Sequence, residues 1–295
     1  MRKRIRAAIR ARLVRVVDEV VSAHRRELQD ALAKLATHQR EPQASFAAYQ
    51  RACETLLTAH RREVQAALTA EVERVLKAVH DVEFRSRRDL WAAGERQAAA
   101  SSARFAREVM PMAAVFDDPI ATLEHALSLA PADGMALEFG VYKGRTLHVI
   151  ATARGNQQVF GFDSFQGLPE DWRSGLPAGT FATDNIPDIP GAELVVGWFA
   201  DTLPDFLAHH PGPVSFLHVD ADLYSSAVTV FTHVGPRLRP GSVIVFDEYF
   251  NYPGWQRHEH RAWQEFVAAA ALEFQYVAYT GNNEQVALVI TKVAP

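Results

Sequence analysis

The chain has 295 residues, 48% of them apolar and 22% charged, with Cys53 its lone cysteine and a formal net charge of −4. That length holds one large or two modest domains with ample core. One cysteine excludes an intrachain disulfide and a cysteine-built zinc site. No apolar run reaches bilayer length, and none follows the N-terminal arginines as a signal would, so a cytoplasmic setting is expected.

The charge is unevenly divided. Residues 1–110 carry 22 Lys+Arg against 14 Asp+Glu, whereas residues 111–295 carry 9 against 21. Opposite balances predict two units, an N-terminal helical or coiled-coil region at 1–112 and a second domain at 113–295. Before residue 112 the only glycine is Gly94, and Pro42 is the only proline before Pro111. Long helices broken near Glu41-Pro42 follow from that composition. Val17, Val21, Leu28, Leu32 and Leu35 recur at helical spacing, as do Phe46, Tyr49, Cys53, Leu57, Val64, Leu68 and Val75. The run Ala23–Gln29 is echoed by Ala59–Gln65 at an offset of 36 residues. A helical hairpin or an intermolecular coiled coil accounts for the repeat, and a homo-oligomer is expected through these helices.

The first residues are sharply basic: Arg2, Lys3, Arg4, Arg6, Arg10, Arg12 and Arg15 precede the first acid, Asp18. Interleaved Ile5, Ile9 and Leu13 make the segment amphipathic. Packing on a partner subunit is the preferred reading, and peripheral contact with an anionic membrane is the alternative. Nucleic acid is not an expected partner, because the basic residues lack interleaved aromatics and the rest of the chain is acidic.

From residue 113 onward, strand and helix patterns alternate. Strands are predicted at 135–140, 158–163, 193–197, 213–220, 241–247, 273–280 and 285–291. Helices are predicted near 118–130, 145–154, 202–209, 224–238 and 257–271. Such alternation predicts an α/β, doubly wound, mostly parallel seven-stranded sheet of Rossmann-like form. Only Gly281-Asn282-Asn283 separates the last two strands. That is a hairpin signal, so one antiparallel edge strand is expected.

Ligands of such sheets bind beyond the carboxyl ends of the strands, at the topological switch point. The first of these ends is Glu138-Phe139-Gly140-Val141-Tyr142-Lys143-Gly144, with Thr146 opening the next helix. Gly140 and Gly144 let a backbone approach a ligand, but the spacing is neither Gly-x-Gly-x-x-Gly nor a P-loop. The acidic Glu138 disfavours a pyrophosphate and suits a cationic ligand, for which S-adenosylmethionine is the best fit. Asp163, ending the next strand before Ser164-Phe165, is placed to accept hydrogen bonds from ribose hydroxyls. Trp198 and Phe199 lie where an adenine would pass, although core packing explains them nearly as well. Asp220, Asp247 and Glu248 sit at adjacent strand ends, and three carboxylates together point to a divalent cation, Mg²⁺, Mn²⁺ or Ca²⁺. A cation there would chelate neighbouring substrate hydroxyls and acidify one of them. Helix capping is the alternative use of such acids, and the one assigned to Asp222.

Four ordered motifs, Glu138–Gly144, Phe162–Pro169, Asp220–Tyr224 and Asp247–Tyr249, resemble the macrocin O-methyltransferase family over roughly 115–295. The resemblance implies a class I S-adenosylmethionine-dependent enzyme, metal-assisted and acting on sugar hydroxyls of natural products. It implies Glu138 through Gly144 as the methionine-end cradle and Asp163 as the ribose acid. It also suggests Asp220, Asp247 and Glu248 as metal ligands, for which Mg²⁺ is the expected cation. Related catechol-type methyltransferases carry a lysine three residues after the first metal acid, where this chain has Leu223. Proton removal then falls to Asp220, to hydroxide, or to a histidine such as His258 or His260. The acceptor is a sugar, another polyhydroxylated small molecule or a glycan. The aromatic loop Tyr249–Trp255 suits stacking on a sugar face, and the long 164–192 segment suits a lid. The rival reading is a non-catalytic scaffold that oligomerises or docks at a membrane and keeps a vestigial cofactor site.

Overall fold

The structure, a computed structural model, describes residues 26, 30, 44–155 and 157–293. The chain forms two compact units, Met1–Arg88 and Asp89–Pro295. The basic N-terminal segment, the break at Glu41-Pro42 and the helix expected around Val17–Leu35, apart from Arg26 and Asp30, which are helical, lie outside the described residues. In the first unit, helix α1 (Ala44–Arg88) runs 45 residues, about 68 Å at 1.5 Å per residue. Its Leu68, Val72, Val75, Val79 and Val82 alternate spacings of four and three and are 46–68% exposed. Among the described residues no helix is long and apolar enough to cross a membrane.

The second unit begins earlier than the charge balance suggests. Asp89 caps helix α2 (Leu90–Val109) by accepting the Ala92 N–H at 3.0 Å. Ala98, Ser102 and Ala106, four residues apart, are the buried face of that helix. Phe105 on the same side packs among Tyr249, Trp255, His260 and Tyr276. Residues 89–112 therefore belong with the sheet domain and not with the N-terminal helices, where the expected boundary at 112 had put them.

Behind α2 come β1 (Ala114–Phe116), α3 (Pro119–Leu129), β2 (Met135–Phe139), α4 (Arg145–Ala153), β3 (Val159–Asp163) and β4 (Glu193–Val196). They are followed by α5 (Phe199–His209), β5 (Val214–Val219), α6 (Tyr224–Val234), β6 (Leu238–Phe246), α7 (Glu259–Ala270), β7 (Glu273–Thr280) and β8 (Val286–Lys292). The seven strands read from the sequence all form, within a residue or three of their expected limits. An eighth, β1, was missed because three residues are too short to show a period. The order is β1-β7-β8-β6-β5-β2-β3-β4, with β8 antiparallel to both of its neighbours and every other pairing parallel. The antiparallel strand is thus inserted between β6 and β7 instead of lying at the edge. Its Val286, Ala287, Leu288 and Ile290 are fully buried, as suits an interior position.

The chain reverses its direction of winding between β2 and β5, which pair in parallel at the sheet centre. Ladder bonding continues one residue past the strands: Gly140 N–H to Phe162, Asp220 N–H to Phe139 and Asp247 N–H to Val219, each 2.9 Å. Those three bonds bring the glycine turn and two of the acids to one crevice at the switch point.

Candidate active site

A cavity of about 540 Å³ opens over that crevice. On one side it is lined by Gly140, Tyr142, Asp163, Ser164, Trp198 and Phe199. Gly140 adopts φ +95°, and a Cβ there would lie 1.9 Å from the Asp220 carbonyl oxygen. Only glycine permits the turn and the loop to meet so closely. Asp163 holds the turn in shape: Oδ2 accepts the N–H groups of Val141 (2.9 Å) and Tyr142 (2.8 Å), and Oδ1 accepts that of Phe165 (2.8 Å). A carboxylate has lone pairs beyond these three, so it still has acceptor capacity facing the cavity.

Several residues expected at the cofactor lie behind this wall. Phe139 and Val141 are core, Phe139 stacked on Phe162. Phe165 is buried, and Gly144 is packed under Ile189. Lys143 lies over the Tyr142 ring. Glu138 is fully buried and accepts from or shares a proton with His218 Nδ1 at 2.8 Å, with Thr146 beside it. Its register partner across β2 and β5 is that same His218, which explains the pairing.

The acids gather differently from the sequence reading. Asp220, Asp222 and Glu248 bring one carboxylate oxygen each within 4.8 Å of one another. Asp247 also lines the cavity but is engaged by Gln285 Nε2 at 3.0 Å, and lies 3.9 Å from His218 Nε2. Asp222 makes no cap for α6, whose first turn has no side-chain cap bond. Its backbone sits at φ +58°, a conformation asparagine and aspartate tolerate better than most. One Glu248 carboxylate oxygen, Oε2, is buried without a hydrogen-bond partner. The donor set, three hard oxygens with one unsatisfied, fits a divalent cation such as Mg²⁺.

Behind the acids stands a residue the sequence reading passed over. Glu259, fully buried at the start of α7, accepts the Ala221 N–H through Oε1 (3.0 Å) and the Glu248 N–H through Oε2 (3.3 Å). The histidines beside it do not reach the cavity. His260 sits among Phe105, Tyr249 and Trp255, where burial lowers its pKa to about 4. His258 packs near Trp172 and Tyr252, and burial, ahead of Arg257 and Arg173, lowers its pKa too. The aromatic loop is likewise turned inward: Tyr249, Phe250, Tyr252 and Trp255 are buried, and none lines the cavity. Ser102 Oγ accepts the Asn251 N–H (2.8 Å) and Ser101 Oγ the Trp255 Nε1–H (3.1 Å), so α2 fixes that loop.

The 164–192 segment forms the other wall, with Gly167, Leu168, Pro169, Trp172, Arg173, Leu176 and Phe181. It is held by its own bonds, Leu168 N–H to Thr180 O (2.9 Å) and Ala178 N–H to Asp171 Oδ1 (2.8 Å) among them. Arg173 lies over the rings of Trp172 and Tyr252 and pairs with Glu284 at 3.2 Å. Ser225, Ser226 and Thr229 of α6 add hydroxyls to the lining.

Charge at the cluster has a consequence for stability. Burial, reinforced by neighbouring carboxylates, pushes the Asp220 and Glu248 carboxyls well above the usual range. Burial likewise brings Asp222 to about 7, against a pull downward from Arg173. Carboxyls raised in the fold favour their protonated form. Their contribution to stability is therefore full below about pH 4, where unfolded carboxyls titrate. It is lost as pH climbs to about 7. A cation relieves the repulsion only where the acids are ionised. Saturating Mg²⁺ is expected to raise Tm by roughly 5–10 °C at pH 8 and by little at pH 5, as read by scanning calorimetry. Equal shifts at both pH values would count against a cation at these acids.

Residues 137–249 match a family described as a methyltransferase domain. A tetracenomycin rhamnosyl 4'-O-methyltransferase of Streptomyces olivaceus is 26% identical over 43% of this chain and 58% of its own length. The mycinamicin III 3''-O-methyltransferase of Micromonospora griseorubida is 28% identical over 43% of this chain and 61% of its own. The chain thus spans about three fifths of the curated relatives it matches. A crystal structure of a calicheamicin methyltransferase is 24% identical, with a TM-score of 0.46 over 58% of this chain and 79% of that one. The matched segment runs from the glycine turn through Asp163 and all the clustered acids, and over it the chain is similar to methyltransferase domains.

Proposed function

We propose that the protein methylates a hydroxyl of a sugar, carried on a natural product or a glycan, with S-adenosylmethionine as donor and a divalent cation, Mg²⁺ by its donor chemistry, at Asp220, Asp222 and Glu248. The observation that carries this reading is a single cavity joining the glycine turn to the acid cluster. The named activities of the two curated relatives, both O-methyltransferases, support the acceptor class.

Within that reading each wall has a task. Gly140, Tyr142 and Asp163 hold the donor, with Trp198 and Phe199 as the apolar surfaces for its base. Asp222, lining the cavity and offering the cation one carboxylate oxygen, takes the acceptor proton on its other oxygen in place of the histidines. Leu168, Trp172 and Phe181 offer apolar and aromatic faces to a sugar, while Ser225, Ser226 and Thr229 offer hydroxyls. When bound, the donor supplies an electrophilic methyl group and the cation acidifies the acceptor hydroxyl. The protein's own share is mostly positioning. Self-association through the exposed seam of α1 fits a cytoplasmic homo-oligomer, with the basic N-terminus as a second docking element.

Isothermal titration with S-adenosylmethionine, in Mg²⁺ and again after chelation, tests the core of this reading. Saturable binding that survives chelation is expected, because the acids hold the cation for the acceptor and not for the donor. Failure to bind under both conditions would overturn the enzyme and leave the scaffold.

A further inference from the structure

We infer that Glu259 is a positioning residue that sets the geometry of the cation site by bracing the two backbone segments on which its ligands stand; the inference rests on the cation reading above. Its carboxylate reaches neither the cavity nor the cluster of Asp220, Asp222 and Glu248. Instead Oε1 takes the N–H of Ala221, the residue between two of the acids, 38 positions away in sequence. Oε2 takes the N–H of the third acid, Glu248, 11 positions away. One side chain therefore ties the loop after β5 to the loop after β6, at the points where the three carboxylates depart.

The residue type follows from the two donors. A carboxylate presents two acceptor oxygens, one for each N–H, whereas an amide presents one oxygen and an NH₂ that would face the second N–H. Glutamine is thus the nearest isostere and still breaks half of the brace. Burial, with Asp222 and Asp247 nearby, pushes the Glu259 carboxyl well above its usual range; the two backbone N–H bonds and the amide dipoles of the 12-residue helix it begins act the other way and favour the anion. His258, immediately before it, makes no side-chain cap bond, so Glu259 is the acid of that first turn. Residues that orient ligands without touching the metal change affinity by about 10- to 100-fold when replaced.

The experiment is titration of the full chain with MnCl₂, and separately with S-adenosylmethionine, for wild type, Glu259→Gln and Glu259→Asp. The shorter aspartate keeps the charge but not the reach, and serves if the glutamine variant does not fold. Expected is a Mn²⁺ affinity weakened about 10- to 100-fold in either variant with donor affinity within twofold of wild type. Turnover should recover at raised Mg²⁺, since the ligands themselves remain. Wild-type Mn²⁺ affinity in the variants would overturn the brace while leaving the cation site standing. Loss of donor binding in parallel with Mn²⁺ would reduce Glu259 to a general structural role. No Mn²⁺ binding by wild type would sink the cation reading itself, and the brace with it.

Discussion

Replacing Asp222 with asparagine is expected to lower kcat by about 10²- to 10⁴-fold, the usual worth of a positioned proton acceptor. The amide is nearly isosteric, so the loop at φ +58° tolerates it and the fold should persist. Donor affinity should hardly change, because the donor wall is built from the turn at Gly140 and from Asp163, not from this side chain. The pH profile separates the roles open to Asp222. Its carboxyl, raised to about 7 without a cation, gives wild type a limb that rises with pH and that lies lower once the cation it helps to hold is bound. In the asparagine variant that limb should vanish. If Asp222 served only as a ligand, raised Mg²⁺ would restore most of the turnover. If kcat stayed within a few-fold of wild type, proton removal would have to be assigned elsewhere, with Asp220 the next candidate in the cavity.

The same aspartate shows where sequence reading stopped. Strand ends could be read to within a residue or so because the parallel strands are continuous apolar runs bounded by glycine or acid, and their tips therefore named Gly140, Asp163, Asp220 and Glu248. Which acids meet was not legible, since it depends on backbone direction after each strand. Asp222 was read as a helix cap from its place two residues before Tyr224, yet its positive φ turns it to the cluster. Asp247, one residue before Glu248, is drawn instead toward Gln285 on the inserted strand. No local pattern announces that partner, 38 positions on.

The helix α2 and the aromatic loop fail for a related reason. A helix rich in alanine and arginine looks like its neighbour α1 in composition, and only the small residues Ala98, Ser102 and Ala106 on one face mark it as packed. The loop from Tyr249 to Trp255 has the composition of a sugar-stacking surface, but its rings found Phe105 and Tyr276. Removing residues 1–110 would therefore do more than strip the N-terminal unit. It would take away the serines that fix Asn251 and Trp255, and expose aromatic core. A truncation that removes only the N-terminal unit should end before Asp89.

Gly140→Ala is expected to be the most damaging small substitution in the sheet domain. The added Cβ would fall 1.9 Å from the Asp220 carbonyl oxygen, a backbone atom held by the continuing ladder of β2 and β5. Neither partner can swing aside as a side-chain tip would. Gly140 N–H is fixed to Phe162 O, and Asp220 N–H to Phe139 O, each at 2.9 Å. A positive φ adds about 1–2 kcal/mol for any residue with a Cβ, and overpacking adds about 1–3 kcal/mol. The sum, near 2–5 kcal/mol, corresponds to a fall in Tm of roughly 10 °C for a domain of this size. Function should suffer beyond stability, because separating the two strand ends moves Asp220 relative to Asp222 and Glu248 at the same time as it closes the donor wall. Donor binding and Mn²⁺ binding should therefore both weaken in the folded variant at low temperature. The neighbouring glycine in the motif supplies a partial contrast: Gly144, at φ +76°, carries the same backbone strain, but the conflicting atom is the Ile189 Cδ1, a side-chain end at 2.3 Å, so an alanine there meets a neighbour able to rotate. A Gly140→Ala protein that melts with wild type and binds both ligands would mean that the close approach at the switch point is not what builds the site.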